Sequence, residues 1–89
     1  MPKIEIYTKG YCPFCKMAKM TLKKLNVAFQ EYDITFDNEK TIEMQSRSKR
    51  STVPQIFIGD VHIGGNDDLQ AALDSGKLAK ILSTKNIEA

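Results

Sequence analysis

Cysteine is scarce in this 89-residue chain, and the two that occur, Cys12 and Cys15, are too few for a disulfide framework. A bridge between them would close so short a loop that the unfolded chain would be little restricted. With no further cysteine and a single histidine, His62, the pair also lacks the partners for a four-ligand zinc site within one chain, and no metal is expected. Excess charge is scarce as well. The net charge of +2 is too small to suggest nucleic acid, and Lys16, Lys19, Lys23 and Lys24 cluster at the spacing of a solvated helix face. No stretch is long and apolar enough to cross a bilayer. The opening Met1-Pro2-Lys3-Ile4-Glu5-Ile6 lacks the apolar run and cleavage site of a secretory signal, so a soluble protein with a cytoplasmic address is expected. No repeat, low-complexity tract or linker breaks the chain. One domain over residues 1–89 is the expectation, near the size at which nearly every apolar position is needed for packing.

What is present is an ordinary globular composition, 42% hydrophobic and 27% charged, with a readable order of elements. Ile4, Ile6 and Thr8 alternate with Lys3, Glu5 and Tyr7, a first strand that ends at Lys9-Gly10-Tyr11. From Pro13 the period changes. Phe14, Ala18, Leu22 and Leu25 form one apolar stripe with Met17 at its edge, and Pro13 suits the first turn of that helix. Val27 to Ile34 alternates again, so strand, helix and strand make a parallel, right-handed βαβ unit. Asp37 or Asn38 can cap a second helix running to about Ser48, with Ile42 and Met44 among its few apolar residues. Val53 to Ile58 reads as a third strand, joined by Gly59-Asp60 to Val61-His62-Ile63 as a hairpin. Asn66 or Asp67 can cap a third helix through Leu73, Gly76 stops it, and Lys77 to Leu82 forms a last helical piece before a fraying Ser83 to Ala89.

A thiol just before a helix faces unpaired N–H groups and the positive end of the dipole, which favour thiolate over thiol. Cys12 holds that position. Cys15 lies one turn further in, close enough to attack a mixed disulfide formed on Cys12. The spacing therefore makes Cys12 the exposed nucleophile and Cys15 the more buried resolving thiol. Lys9 and Lys16 add positive charge nearby, screened by solvent. His62, between Val61 and Ile63, reads as an ordinary sheet-surface histidine.

Cys12-Pro13-Phe14-Cys15 after a strand and turn, with Thr52-Val53-Pro54 and Gly64-Gly65-Asn66-Asp67-Asp68 downstream, resembles the glutaredoxin family, in particular its short bacterial dithiol members, over essentially the whole chain. The resemblance implies an α/β, thioredoxin-like fold, a four-stranded mixed sheet with flanking helices in the order βαβαββα. It implies a cis peptide bond at Pro54, with the backbone of Val53 offered as an edge to the cysteine of a disulfide substrate. It also implies glutathione as co-substrate, bound by Lys9, Tyr11, Phe14, Thr52, Val53, Pro54, Gly65, Asn66, Asp67 and Asp68. In that pocket Gly64-Gly65 lets a ligand approach the backbone, and N–H groups at the next helix start bind the γ-glutamyl carboxylate. Asp67 or Asp68 takes the amine. Lys9 meets the glycyl carboxylate, assisted by Arg47 or Arg50. The family usually has tyrosine at the position of Phe14, so that hydroxyl is missing here.

The reaction so implied is glutathione-dependent reduction of protein disulfides and protein–glutathione mixed disulfides by a monomer, ribonucleotide reductase being one candidate substrate. Two other readings stay open. One is an iron–sulfur carrier built from two chains, against which Pro13 and the second cysteine argue, since the monothiol carriers have glycine and lack Cys15's counterpart. The other is an electron donor reduced by thioredoxin reductase, against which Lys9 and the Gly-Gly-Asn-Asp-Asp stretch argue.

Overall fold

Residues 2–83 are described in the computed structural model. The first alternating segment becomes strand β1 (Ile4–Thr8), but its pattern is not simply one face in and one face out: Ile4, Ile6 and Tyr7 are all buried. The reason is position. The sheet order is β2-β1-β3-β4, so β1 is interior and helices cover both of its faces. Strand β2 (Gln30–Asp33) pairs parallel with β1, completing the βαβ unit around helix α1 (Pro13–Lys24). Strand β3 (Gln55–Ile58) runs antiparallel to β1, and β4 (Val61–Gly64) runs antiparallel to β3. The result is the expected four-stranded mixed sheet with flanking helices.

On one face Ile4, Ile6, Ile56 and Ile58 meet Ala18 and Leu22 of α1, Leu69 and Ala72 of α3 (Asn66–Ser75), and Leu78 of α4 (Lys77–Ser83). On the other, Tyr7, Ile34 and Phe57 pack on Met44 of α2 (Asn38–Ser48). Here Arg47 lies 4.0 Å over the Phe57 ring and binds Glu5 at 3.1 Å and the Tyr7 hydroxyl at 2.8 Å. Tyr7 in turn donates to Glu43, and burial together with that bond pushes its phenol up to about 12.

Several local expectations shift. The buried stripe of α1 is Cys15, Ala18 and Leu22, while Phe14 points to solvent, because the helix begins at Pro13 and turns the second position away from the sheet. β2 is shorter than Val27 to Ile34, since Asn26 adopts a left-handed φ of 62° and the chain needs 27–29 to return to the sheet. β3 starts only at Gln55, after a cis Val53–Pro54 bond; proline has no N–H to give a ladder. α2 is capped by Asp37, whose Oδ1 accepts the Lys40 N–H at 3.0 Å, and Ile42 stands exposed on it. α3 is preceded by Gly65 as cap rather than Asn66 or Asp67, and runs to Ser75 before Gly76 stops it at φ 83°. Asn66 is unavailable as a cap because its buried side chain accepts from Gln70 inside the helix. His62 is no plain surface residue either, since it stacks on Phe57 at 4.8 Å and bonds Gln55 at 2.7 Å. Ser83 closes α4, and the rest of the expected frayed end lies outside the described residues. No helix among the described residues is long and apolar enough to cross a membrane.

Candidate active site

Where a serine or aspartate would cap α1, the chain has Cys12. Its backbone is extended (φ −92°, ψ 112°), its carbonyl accepts the Lys16 N–H at 3.3 Å, and its Sγ accepts the Cys15 N–H at 3.2 Å. The sulfur therefore occupies the capping position itself, receiving a backbone donor at the positive end of the helix. Pro13 at the first helical position removes an N–H that would have had no helical partner. Cys15 is 1% exposed. Burial first, and then its hydrogen bond with Cys12, push its thiol well above the ordinary range. Both cysteines are free thiols. Cys12, expected to be exposed, is itself only 8% exposed because the turn at Lys9 and the Val53 backbone close over it.

The Cys12 thiol lies 3.8 Å from the Val53 carbonyl oxygen, and at Val53 a groove of about 240 Å³ begins. Three stretches build it: Phe14 from α1, then Arg50 with Thr52, Val53 and Pro54 before β3, then Gly65 to Asp68 at the start of α3. A side chain on Gly65 would stand 3.5 Å from the Pro54 carbonyl, so the two walls approach closely there. The Gly65 N–H donates to Asp68 Oδ2 at 2.9 Å, and Arg50 pairs with the same oxygen at 3.0 Å. These two bonds, the backbone one first, hold the Asp68 carboxyl below its usual range. The first N–H groups of α3 belong to residues that line the groove and have no partner within the helix.

Of the residues expected to hold glutathione, Phe14, Thr52, Val53, Pro54, Gly65, Asn66, Asp67 and Asp68 thus come together along one groove, whereas Lys9 and Tyr11 do not line it. Lys9 is half-buried on the loop before Cys12, where its carbonyl accepts the Cys12 N–H at 3.2 Å, and Tyr11 is exposed beside it. The two arginines separate: Arg47 is committed to Glu5, Tyr7 and Phe57 on the far face of the sheet, and Arg50 is the cation of the groove. Its place two residues before Thr52-Val53-Pro54 was the signal for it in the sequence. Among the described residues no three His, Cys, Asp or Glu side chains are grouped to hold a metal ion.

Comparison with known proteins agrees with this geometry. The family model for glutaredoxin matches residues 4–63. Glutaredoxin 3 of Escherichia coli is 50% identical over 82 residues, covering 92% of this chain and 99% of that protein. The solution structure of a glutaredoxin from Brucella melitensis superposes with a TM-score of 0.82 at 48% identity, over 96% of this chain and 92% of the other. A buckwheat glutaredoxin crystallised as a complex with glutathione superposes with a TM-score of 0.83 at 26% identity, over 93% and 78%. Matched along most of its length in both sequence and thioredoxin-like fold, and carrying a Cys-x-x-Cys pair at the start of its first helix, the chain belongs to the glutaredoxin family of thiol–disulfide oxidoreductases.

Proposed function

We propose that the chain reduces protein–glutathione mixed disulfides and protein disulfides at the expense of glutathione, with Cys12 as nucleophile and Cys15 as resolving thiol. The observation that carries this reading is the groove itself, lined by Val53, whose carbonyl oxygen is 3.8 Å from Cys12 Sγ, and by Arg50 and the N-terminus of α3. Glutathione is an extended tripeptide with a carboxylate at each end and one amine. Its sulfur is wanted at Cys12, its γ-glutamyl carboxylate at the N–H groups that open α3, where Arg50 pairs with Asp68, and its glycyl carboxylate near Lys9 on the loop before Cys12. Asp68 is already engaged by Gly65 and Arg50, which leaves the exposed Asp67 as the acceptor for the amine. Crystallisation of the buckwheat relative with glutathione supports the same reading.

With a glutathionylated protein, the Cys12 thiolate attacks the glutathione sulfur; the mixed S–S bond breaks, and the protein leaves as thiolate and takes a proton. A second glutathione, as thiolate, attacks the Cys12–glutathione bond, releasing glutathione disulfide and restoring the Cys12 thiolate. With a protein disulfide, Cys12 forms a mixed disulfide with one sulfur. Cys15 then loses its proton and displaces that sulfur, leaving an oxidised Cys12–Cys15 pair and a reduced protein dithiol. Two glutathione molecules return the pair to thiols and become glutathione disulfide, so two electrons move in each cycle. The proposed setting is the cytoplasm, whose glutathione pool supplies the reductant.

A coupled assay tests this by offering a mixed disulfide with glutathione plus glutathione reductase, or with thioredoxin reductase alone. Turnover is expected only with the glutathione system; the reverse result would overturn the proposal in favour of a thioredoxin-reductase-linked donor. Cys12→Ser should abolish both reactions, whereas Cys15→Ser should keep deglutathionylation and lose most protein-disulfide reduction. Loss of both reactions in Cys15→Ser would refute the division of roles.

A further inference from the structure

Between Glu5 and Glu31 the chain has no acidic residue, yet the same stretch holds Lys9, Lys16, Lys19, Lys23 and Lys24. All of α1 lies inside it. Of these five lysines only Lys19 has an ion-pair partner among the described residues, Glu31 at 3.0 Å. Lys23 and Lys24 suit the negative end of the helix, but Lys16 stands in its first half, where the dipole gives a cation no support.

The same helix turns apolar side chains to water. Phe14 is 56% exposed, Met17 50% and Met20 56%, at intervals of three residues, with Tyr11 73% exposed just before them. The core takes no part of this stripe, since Cys15, Ala18 and Leu22 fill the inward side. Met17, Met20, Thr21 and Lys24 face Gln70 of α3 across a cleft of about 220 Å³. Gln70 ties the two walls, donating to Thr21 Oγ1 at 2.8 Å and to Asn66 Oδ1 at 3.3 Å. Asn66 and Phe14 also line the groove beside Cys12, so the hydrogen bond from Gln70 to Asn66 joins the wall of the cleft to the wall of that groove.

We propose that this methionine stripe with its lysine flank is the docking track for the protein half of the substrate, and that it receives an acidic segment carrying apolar side chains next to the reacting cysteine. The inference rests on the thiol exchange proposed above. Charge complementarity selects the occupant, because a run of unpaired lysines attracts acidic residues and repels basic ones. It also orients the occupant: Asp67 and Asp74 of α3 flank Gln70 by three and four residues, so the partner's acids lie over α1 and away from α3. Methionine, unbranched and polarisable, adapts to more than one apolar side chain, which fits a surface serving several such segments.

The test uses glutathionylated peptides, identical except that the residues flanking the cysteine are Glu and Leu, Lys and Leu, or Glu and Ser, alongside the mixed disulfide of glutathione and 2-mercaptoethanol. The Glu/Leu peptide should exceed the Lys/Leu peptide in kcat/KM by about tenfold at low salt, with the gap narrowing as ionic strength rises. Met17→Ser/Met20→Ser should lower kcat/KM for the Glu/Leu peptide about tenfold, through lost apolar contact, and bring it to the level of the Glu/Ser peptide. Lys24→Glu should cut the preference for Glu/Leu over Lys/Leu severalfold, and every variant should turn over the small mixed disulfide as wild type does. Equal kcat/KM for all three peptides, or variants that lose the small substrate in the same proportion as the peptides, would overturn the docking track while leaving the glutathione reaction intact. Failure of the wild type on the small mixed disulfide would instead sink the underlying reaction and the track with it.

Discussion

Gly64, the last residue of β4, has a φ of 117°, a conformation that L side chains rarely adopt, and a Cβ added there would stand 2.3 Å from Asp68 Oδ2 and 2.7 Å from its Cγ. Gly64→Ala therefore does two things. It imposes backbone strain of about 1–3 kcal/mol, and it forces the Asp68 side chain to swing away. Swinging away gives up the Gly65 N–H bond at 2.9 Å and the Arg50 pair at 3.0 Å. Because Arg50 and Asp68 are both nearly half exposed, the pair adds little, and the backbone bond carries most of a further loss of about 1 kcal/mol. The expected total is about 2–4 kcal/mol, a drop of roughly 1–4 M in urea midpoint at small-domain m-values. Urea unfolding followed by far-ultraviolet circular dichroism reads this directly, and the KM for a glutathionylated substrate should rise severalfold because the groove loses its Asp68 wall. A cycle with Asp68→Ala separates the two contributions: once Asp68 is gone, Gly64→Ala should cost about 1 kcal/mol less than in the wild type. A Gly64→Ala protein within about 0.5 kcal/mol of wild type, or penalties that simply add, would refute the reasoning.

Other consequences follow from the far face of the sheet. Arg47→Met keeps the volume over Phe57 but leaves the largely buried Glu5 carboxylate with Tyr32 as its main donor and takes the donor from the Tyr7 oxygen, and should cost about 1–3 kcal/mol by urea unfolding with little change in small-substrate turnover. Arg47→Lys should restore less than half, since a point charge cannot bind Glu5 and Tyr7 and stack at once. Burial pushes Glu5 up, but hydrogen bonds from Tyr32 and Arg47 outweigh it and leave its carboxyl below the ordinary value of 4.5; Glu31 is likewise lowered on balance by Thr8 and Lys19. A depressed carboxyl adds stability that is fully present above the unfolded value and lost as pH falls through the folded one. The carboxylate contribution to the urea midpoint should thus be flat above about pH 5 and fall on acidification, below a separate decline that starts near pH 6.5 because burial holds the His62 imidazole below its usual value; Glu5→Gln should flatten the carboxylate fall, and an unchanged slope there would count against the pairing.

The order of elements was readable because each period change sat beside a chemical marker: Pro13 at a helix start, Asp37 at a cap, Gly59-Asp60 at a hairpin, Gly76 at a stop. Misreadings arose where a neighbour distant in sequence decides the outcome. Tyr7 alternates like a surface residue, yet α2 covers it from some forty positions away, and Arg47 is drawn to that face for the same reason. Phe14 fits an apolar stripe at four-residue spacing, but one rotation of the helix start places Cys15 inward instead. The thiol pair and most of the groove could be named from local motifs. The choice between Lys9, Arg47 and Arg50 could not, because it depends on where the fold carries each cation: Arg47 goes to Glu5 on the far face of the sheet, Lys9 stays on the loop before Cys12, and Arg50 lines the groove beside Asp68.

The nearly closed position of Cys12 has a consequence for what can be a substrate. With Cys12 so little exposed, a disulfide presented on a narrow, extended segment should reach it more readily than one set in a broad folded surface. A bridge held inside a partner's folded interior stays out of range until that region frays. The catalyst would thereby sample its clients by their local unfolding, turning over loosened or exposed bridges first and leaving well-packed ones alone.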